Sequence, residues 1–205
     1  MKRISMLLAL GTALSVASVT VQAASFTTSL SGANENPVNS SPGVGSSSVS
    51  LDTATHQLQV SAVFSGLSAP TTASHIHCCV APPGTAGVAT TTPSFTGFPL
   101  GVTGGSFNAV FDTTQASTWN PAFITANGGT TAGAEAALAA GIAQGRAYLN
   151  IHTTAIPAGE IRGFLAPVGE PAVVAAGVPT LSQWSLIGLA ALLSVFGFIR
   201  MRRRG

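Results

Sequence analysis

Between residues 25 and 168 turn-forming residues recur about every eight to twelve positions, and the stretches between them alternate apolar with polar side chains. No other feature restricts the fold so strongly. Successive side chains of a strand point to opposite faces, so Leu58, Val60, Ala62 and Phe64 make an apolar face, while Gln57, Gln59 and Ser61 make a solvated one. Further strands are predicted near residues 26–30, 46–51, 73–79, 105–111, 147–152 and 160–165, with turns at 34–37 and 41–43. The expected fold is all-β, an antiparallel β-sandwich of short strands with a short helical insertion. That insertion is an alanine-rich helix at 131–144, capped by Gly145, and a second helix over 116–126 with Pro121 near its start.

Both ends of the 205-residue chain read as addresses rather than as parts of this domain. Lys2 and Arg3 precede an uncharged apolar run that closes on Val21-Gln22-Ala23, which predicts an N-terminal signal helix over residues 1–24, cut after Ala23 or Ala24. Residues 184–199 are uncharged and apolar and run directly into Arg200, Arg202, Arg203 and Arg204. A C-terminal transmembrane helix is expected there, about 24 Å long at 1.5 Å per residue, with its arginines on the cytoplasmic side and the domain outside. Residues 169–177 link the two.

What remains, residues 25–168, is large enough for one core. Glu35, Asp52, Asp112, Glu135, Glu160 and Glu170 face only Arg146 and Arg162 between the two terminal segments, a net charge of −4. That balance argues against nucleic acid, which is bound by clustered basic residues. The single lysine, Lys2, lies in the signal segment, which excludes a phosphate-loop lysine or a Schiff base from the mature chain. There is no Gly-x-Ser-x-Gly elbow and no evident carboxylate pair for glycosidic chemistry, so the reading leans away from an enzyme.

Metal-capable side chains concentrate in His75-Ile76-His77-Cys78-Cys79. On a strand, His75, His77 and Cys79 share one face, and histidines two apart have Cα atoms about 6.6 Å apart, close enough to reach one ion. His152 ends a later strand, and Glu160 and Arg162 share a face of the next, as an ion pair at the rim, an anion site or a redox pocket. Three imidazoles, with Cys79 or Glu160 as an accessory, suit copper or zinc; the competing reading has the same histidines bonded to loop carbonyls, tying strands together. His56 falls in a turn and is expected to be solvated. Cys78 and Cys79 are the only cysteines, and outside the cytoplasm they have three fates: a vicinal disulfide, which is favoured, one ligand with one buried thiol, or pairing with another chain.

Five motifs in order carry a resemblance: Leu30-Ser31-Gly32-Ala33-Asn34-Glu35-Asn36-Pro37, Phe64-Ser65-Gly66-Leu67, Ser74-His75-Ile76-His77, Tyr148-Leu149-Asn150-Ile151-His152-Thr153 and Gly159-Glu160-Ile161-Arg162-Gly163. Together they resemble the CHRD domain, which implies an extracellular β-rich module of surface proteins. Val178-Pro179-Thr180-Leu181-Ser182-Gln183-Trp184, the apolar run and the arginines are similar to the IPTL-CTERM tail, a relative of the PEP-CTERM signals of Gram-negative bacteria. That likeness implies processing by a sortase-like transpeptidase and transfer from the inner membrane to the cell surface or beyond. A looser likeness, to the copper-zinc superoxide dismutase sandwich, implies copper-ligand roles for His75, His77 and His152 and an anion-guiding role for Arg162; the chain departs from it in lacking the zinc-site His and Asp cluster. The sandwich is accordingly expected to be immunoglobulin-like or dismutase-like. The expected function is a surface-anchored structural or binding module with an envelope or matrix partner, and the alternative is a copper or zinc protein.

Overall fold

The computed structural model describes residues 24–168, together with 188, 189, 200 and 202. The signal segment, the linker, the sorting motif at 178–181 and nearly all of the expected helix at 184–199 lie outside the described residues. Among the described residues no helix is long and apolar enough to cross a membrane.

The domain is mostly β, and every strand pairing in it is antiparallel. Its strands are β1 (Ala24–Ser31), β2 (Val44–Asp52), β3 (Gln57–Ser65), β4 (Thr71–Cys78), β5 (Gly105–Asp112), β6 (Ala147–Thr153), β7 (Ile161–Phe164) and the two-residue β8 (Ala166–Pro167). They form one sheet in the order β4-β6-β7-β1-β2-β3-β5, with β8 against β1. The path is unbroken: β1 pairs with β2 along its whole length and on its other edge meets β7 at Ser31 and Arg162 and β8 at Thr27–Ala166 and Phe26–Pro167, in one antiparallel register. The two ends are brought toward each other by the connection between β4 and β5, whose Phe95 N–H donates to the Ser74 carbonyl at 2.9 Å while its ring stacks on Phe107 and Phe111 of β5.

Alternation explains which face went inside. Leu58, Val60, Ala62 and Phe64 of β3 are buried and Gln57, Gln59 and Val63 exposed. Across the core, Ile76 of β4, Leu149 and Ile151 of β6 and Ile161 of β7 are fully enclosed. Each such side chain contributes about 1.5–3 kcal/mol by leaving water. β6 departs from alternation, because every residue from Ala147 to Thr153 is buried. Its second face is covered by loops, and on it stand Tyr148, Asn150 and His152.

Two helices fill the connection from β5 to β6. α1 (Pro121–Ala126) starts on Pro121, with Asn120 as N-cap accepting from the Ala122 N–H at 3.0 Å. The single helix expected over 116–126 is therefore divided: Ala116–Thr118 is a separate 3-10 turn, and extended Trp119 lies between, bridged to Thr90 with its indole N–H donating to the Thr113 carbonyl at 2.9 Å. α2 (Thr131–Ala143) is capped by Thr130 and places Leu138 and Ile142 on the core. Gly145, at φ 65, reverses the chain into β6.

Candidate metal centre

The outer face of β4 and β6 carries the three histidines singled out in the sequence. Strand period two puts His75 and His77 on one side of β4 and Ile76 on the other. Antiparallel pairing sets His152 opposite Ala73, Asn150 opposite His75 and Tyr148 opposite His77. The metal-capable nitrogens of His75, His77 and His152 lie within 4.8 Å of one another. Nitrogens bound to one tetrahedral ion at about 2.0–2.1 Å stand about 3.3 Å apart, so a shift of about 1.5 Å at most closes the set around an ion.

Each ring is oriented by its other nitrogen. His75 Nδ1 faces the Pro93 carbonyl at 3.2 Å, His77 Nδ1 the Ala86 carbonyl at 2.8 Å and His152 Nδ1 the Pro157 carbonyl at 2.9 Å. A carbonyl accepts only, so in each case Nδ1 carries the proton and Nε2 keeps its lone pair. All three Nε2 atoms are buried and without a hydrogen-bond partner. Burial also keeps the rings neutral. It pushes His75 down to about 3, helped by the neighbouring His152 and His77, and His77 down to about 4, helped by His152 and Arg162 against the Ala86 carbonyl; His152 is lowered by the same loss of water. Neutral imidazoles with free Nε2 lone pairs and carbonyl-bonded Nδ1 atoms are the donor set that zinc and copper sites use.

Around this cluster the structure rearranges several sequence expectations. Cys79 does not join the histidine face: β4 ends at Cys78, and Cys79 is disulfide-bonded to Cys78, with both sulfurs against Gly141 of α2. Glu160 is no accessory either. It precedes β7, and its carboxylate takes the Ser41 hydroxyl at 2.6 Å, the Ser68 N–H at 2.6 Å and the Thr153 hydroxyl at 2.5 Å. Burial raises its pKa, but those donors outweigh burial and hold it below the usual carboxylate range.

Arg162 is not at a rim and does not pair with Glu160. It is 1 % exposed, with Nε donating to the Asn34 carbonyl at 2.6 Å, one terminal nitrogen to the Pro83 carbonyl at 2.8 Å and the other to the Gly84 carbonyl at 3.2 Å. Its carboxylate neighbour is Glu35, at 3.6 Å from Nε. Because the guanidinium is directed at carbonyls and Glu35 Oε1 has no partner, burial wins over the attraction and raises Glu35 to about 7. An anion-guiding role would need the guanidinium open to solvent, and it is not.

The guanidinium also covers one face of Tyr148, 4.7 Å from the ring centroid, and the Tyr148 ring stacks on His77 at 4.7 Å and 6° between planes. The Tyr148 hydroxyl accepts from the Ala86 N–H at 3.1 Å, beside the carbonyl that orients His77. Tyr148, Glu35 and Asn150 were not recognised as site residues from the sequence; the period of two along β6 is the signal that puts Tyr148 and Asn150 on the face of His152. His56 is not merely solvated: in a turn at φ 57, its Nδ1 meets Glu135 of α2 at 3.0 Å, and the Thr113 hydroxyl donates to the same carboxylate.

An antiparallel β domain that buries three converging histidines on a loop-covered sheet face is thus the class of protein present. The chain belongs to the CHRD domain family, whose model matches residues 26–165, and the IPTL-CTERM motif matches residues 176–203. Together the domain and the sorting motif mark an exported, envelope-associated protein. No curated protein and no solved structure matches the chain.

Proposed function

We propose that this protein is a surface-anchored module that binds one transition-metal ion, copper or zinc, through His75, His77 and His152. The observation that carries this reading is the set of three buried Nε2 atoms with no protein partner. Had the histidines served only to tie loops to strands, their Nδ1 bonds would suffice, and three orphaned acceptors at about 1–3 kcal/mol each would remain unexplained. An ion satisfies all three at once. An all-imidazole set without carboxylate favours copper or zinc over magnesium or calcium, and copper ranks above zinc in intrinsic affinity.

The address is part of the proposal. The apolar run at 184–199 is read as a transmembrane helix, Val178, Pro179, Thr180 and Leu181 as the recognition site of a sortase-like transpeptidase, and the domain as delivered from the inner membrane to the surface of a Gram-negative cell or its matrix, against an envelope partner. The curled sheet is read as a sandwich of the dismutase kind, without its chemistry.

The test is metal content. The full chain, purified in detergent and dialysed against copper or zinc, is expected to hold one ion per chain, and His77→Ala and His152→Ala are expected to hold none at the same free metal. A wild-type chain that is folded and metal-free under those conditions refutes the reading and returns the histidines to framework residues.

A further inference from the structure

Among the described residues six buried side-chain polar atoms lack a partner, and four of the six sit on one face of β4 and β6: Nε2 of His75, His77 and His152, and Oδ1 of Asn150. The fourth is not a metal ligand in the set just described. Asn150 is 3 % exposed, stands two residues before His152 on the same face of β6, and pairs across the ladder with His75. Cβ atoms of such cross-strand partners lie about 4.5–5.5 Å apart, so the amide belongs to the histidine patch.

Its other surroundings do not satisfy it. The opposite cross-strand neighbour is Arg162, whose nitrogens donate to the carbonyls of Asn34, Pro83 and Gly84. On the loop side the amide packs flat on the backbone of Gly159, where φ is +131 and a Cβ would come to 2.5 Å from Asn150 Nδ2 and 2.8 Å from Oδ1. The loop that supplies the Pro157 carbonyl to His152 therefore also closes over Asn150, and it closes without giving Oδ1 a donor.

Three protein ligands leave one position of a tetrahedral ion unfilled, whereas closed structural sites use four. Resting on the metal reading, we propose that this fourth position holds an exchangeable water that donates one hydrogen bond to Asn150 Oδ1, making the centre an open site for a small exogenous anion. One ion and one water satisfy all four orphaned atoms. Asn150 is then a positioning residue: it orients the water and touches no metal. Each histidine is only 7–8 % exposed, so the proposed fourth ligand is a small anion rather than a large one.

The experiment uses the full chain in detergent, loaded with Co2+ as a visible probe and titrated with azide. In the wild type azide is expected to displace the water and shift the ligand-field bands. Asn150→Leu removes the acceptor, and the weakened water yields to azide about three- to tenfold more readily, the equivalent of one ordinary hydrogen bond. Asn150→Asp, of the same size and a stronger acceptor, is expected to weaken azide binding, while both variants keep one Co2+ per chain. Bands in the wild type that ignore azide show a closed centre and overturn the proposal, leaving the metal reading intact. Equal azide affinity in all three proteins removes Asn150 from it. A chain that takes up no Co2+, Cu2+ or Zn2+ overturns the metal reading and this inference together.

Discussion

Replacing Glu35 with glutamine tests the energetics of the loop clamp that backs the histidine cluster. Glu35 is 6 % exposed, one of its oxygens has no partner, and Arg162 approaches the other only to 3.6 Å because the guanidinium bonds carbonyls instead. Burial accordingly raises its pKa from 4.5 to about 7, with the Arg162 charge and the Asn36 N–H offsetting only part of the cost. In this window the folded chain holds a proton that the unfolded chain has released, so stability falls as pH rises. The slope is about 1.4 kcal/mol per pH unit between 4.5 and about 7, or about 3 kcal/mol in all. Glu35→Gln cannot titrate and keeps the shape. The difference in unfolding free energy, variant minus wild type, is therefore expected to grow by about 3 kcal/mol from pH 4.5 to pH 7 and to be flat below 4.5, measured by denaturant unfolding of both proteins in the same buffers. All groups other than Glu35 cancel in that difference. A difference that stays flat over the whole range would show that Arg162 and the Asn36 N–H cancel the effect of burial and leave the carboxyl at its ordinary value, and the argument from burial would be wrong.

Gly141→Ala places a methyl 2.7 Å from Cys79 Sγ and closer still to Cys78 Sγ, inside a packed core, and is expected to cost about 1–3 kcal/mol in thermal unfolding despite alanine's better helix propensity. Cys79→Ser should leave metal stoichiometry at one per chain, since the sulfurs face α2 and not the histidines; loss of the metal would restore Cys79 as a ligand. His56→Ala should matter most at low pH. Glu135 raises the pKa of His56, so the pairing stabilises the fold fully below 6.5 and fades as pH climbs through the raised value, and variant and wild type are expected to converge in unfolding midpoint by pH 9.

The strands were legible because their signal is local. Alternation at 57–64 marks β3 whatever the rest of the chain does, and six other strands were placed within two residues of their observed ends. The exceptions are instructive. β8 is two residues long and has no period to read, and the helix expected over 116–126 is interrupted because Trp119 is drawn into the core, a demand that helix propensity does not contain.

The site was legible only in part. Two histidines two apart, and a third on another predicted strand, named three residues that the fold brings together. Pairing Arg162 with Glu160 was wrong because spacing of two assumes a regular strand through both, whereas Glu160 precedes β7 and takes donors from Ser41, Ser68 and Thr153. Cys79 was assigned to the histidine face for the same reason, one residue past the end of β4.

By itself, the sequence determined the all-β class, the faces of the strands, the histidine-bearing motifs and the C-terminal sorting motif, because each depends on side chains close together along the chain. Tertiary structure alone decided that β4 and β6 are neighbours, that loops cover their outer face, and that three Nε2 atoms and Asn150 Oδ1 are left there without partners. Strand order and loop closure depend on contacts between distant segments. Whether a histidine ties a loop or awaits an ion depends on which of its nitrogens those contacts satisfy.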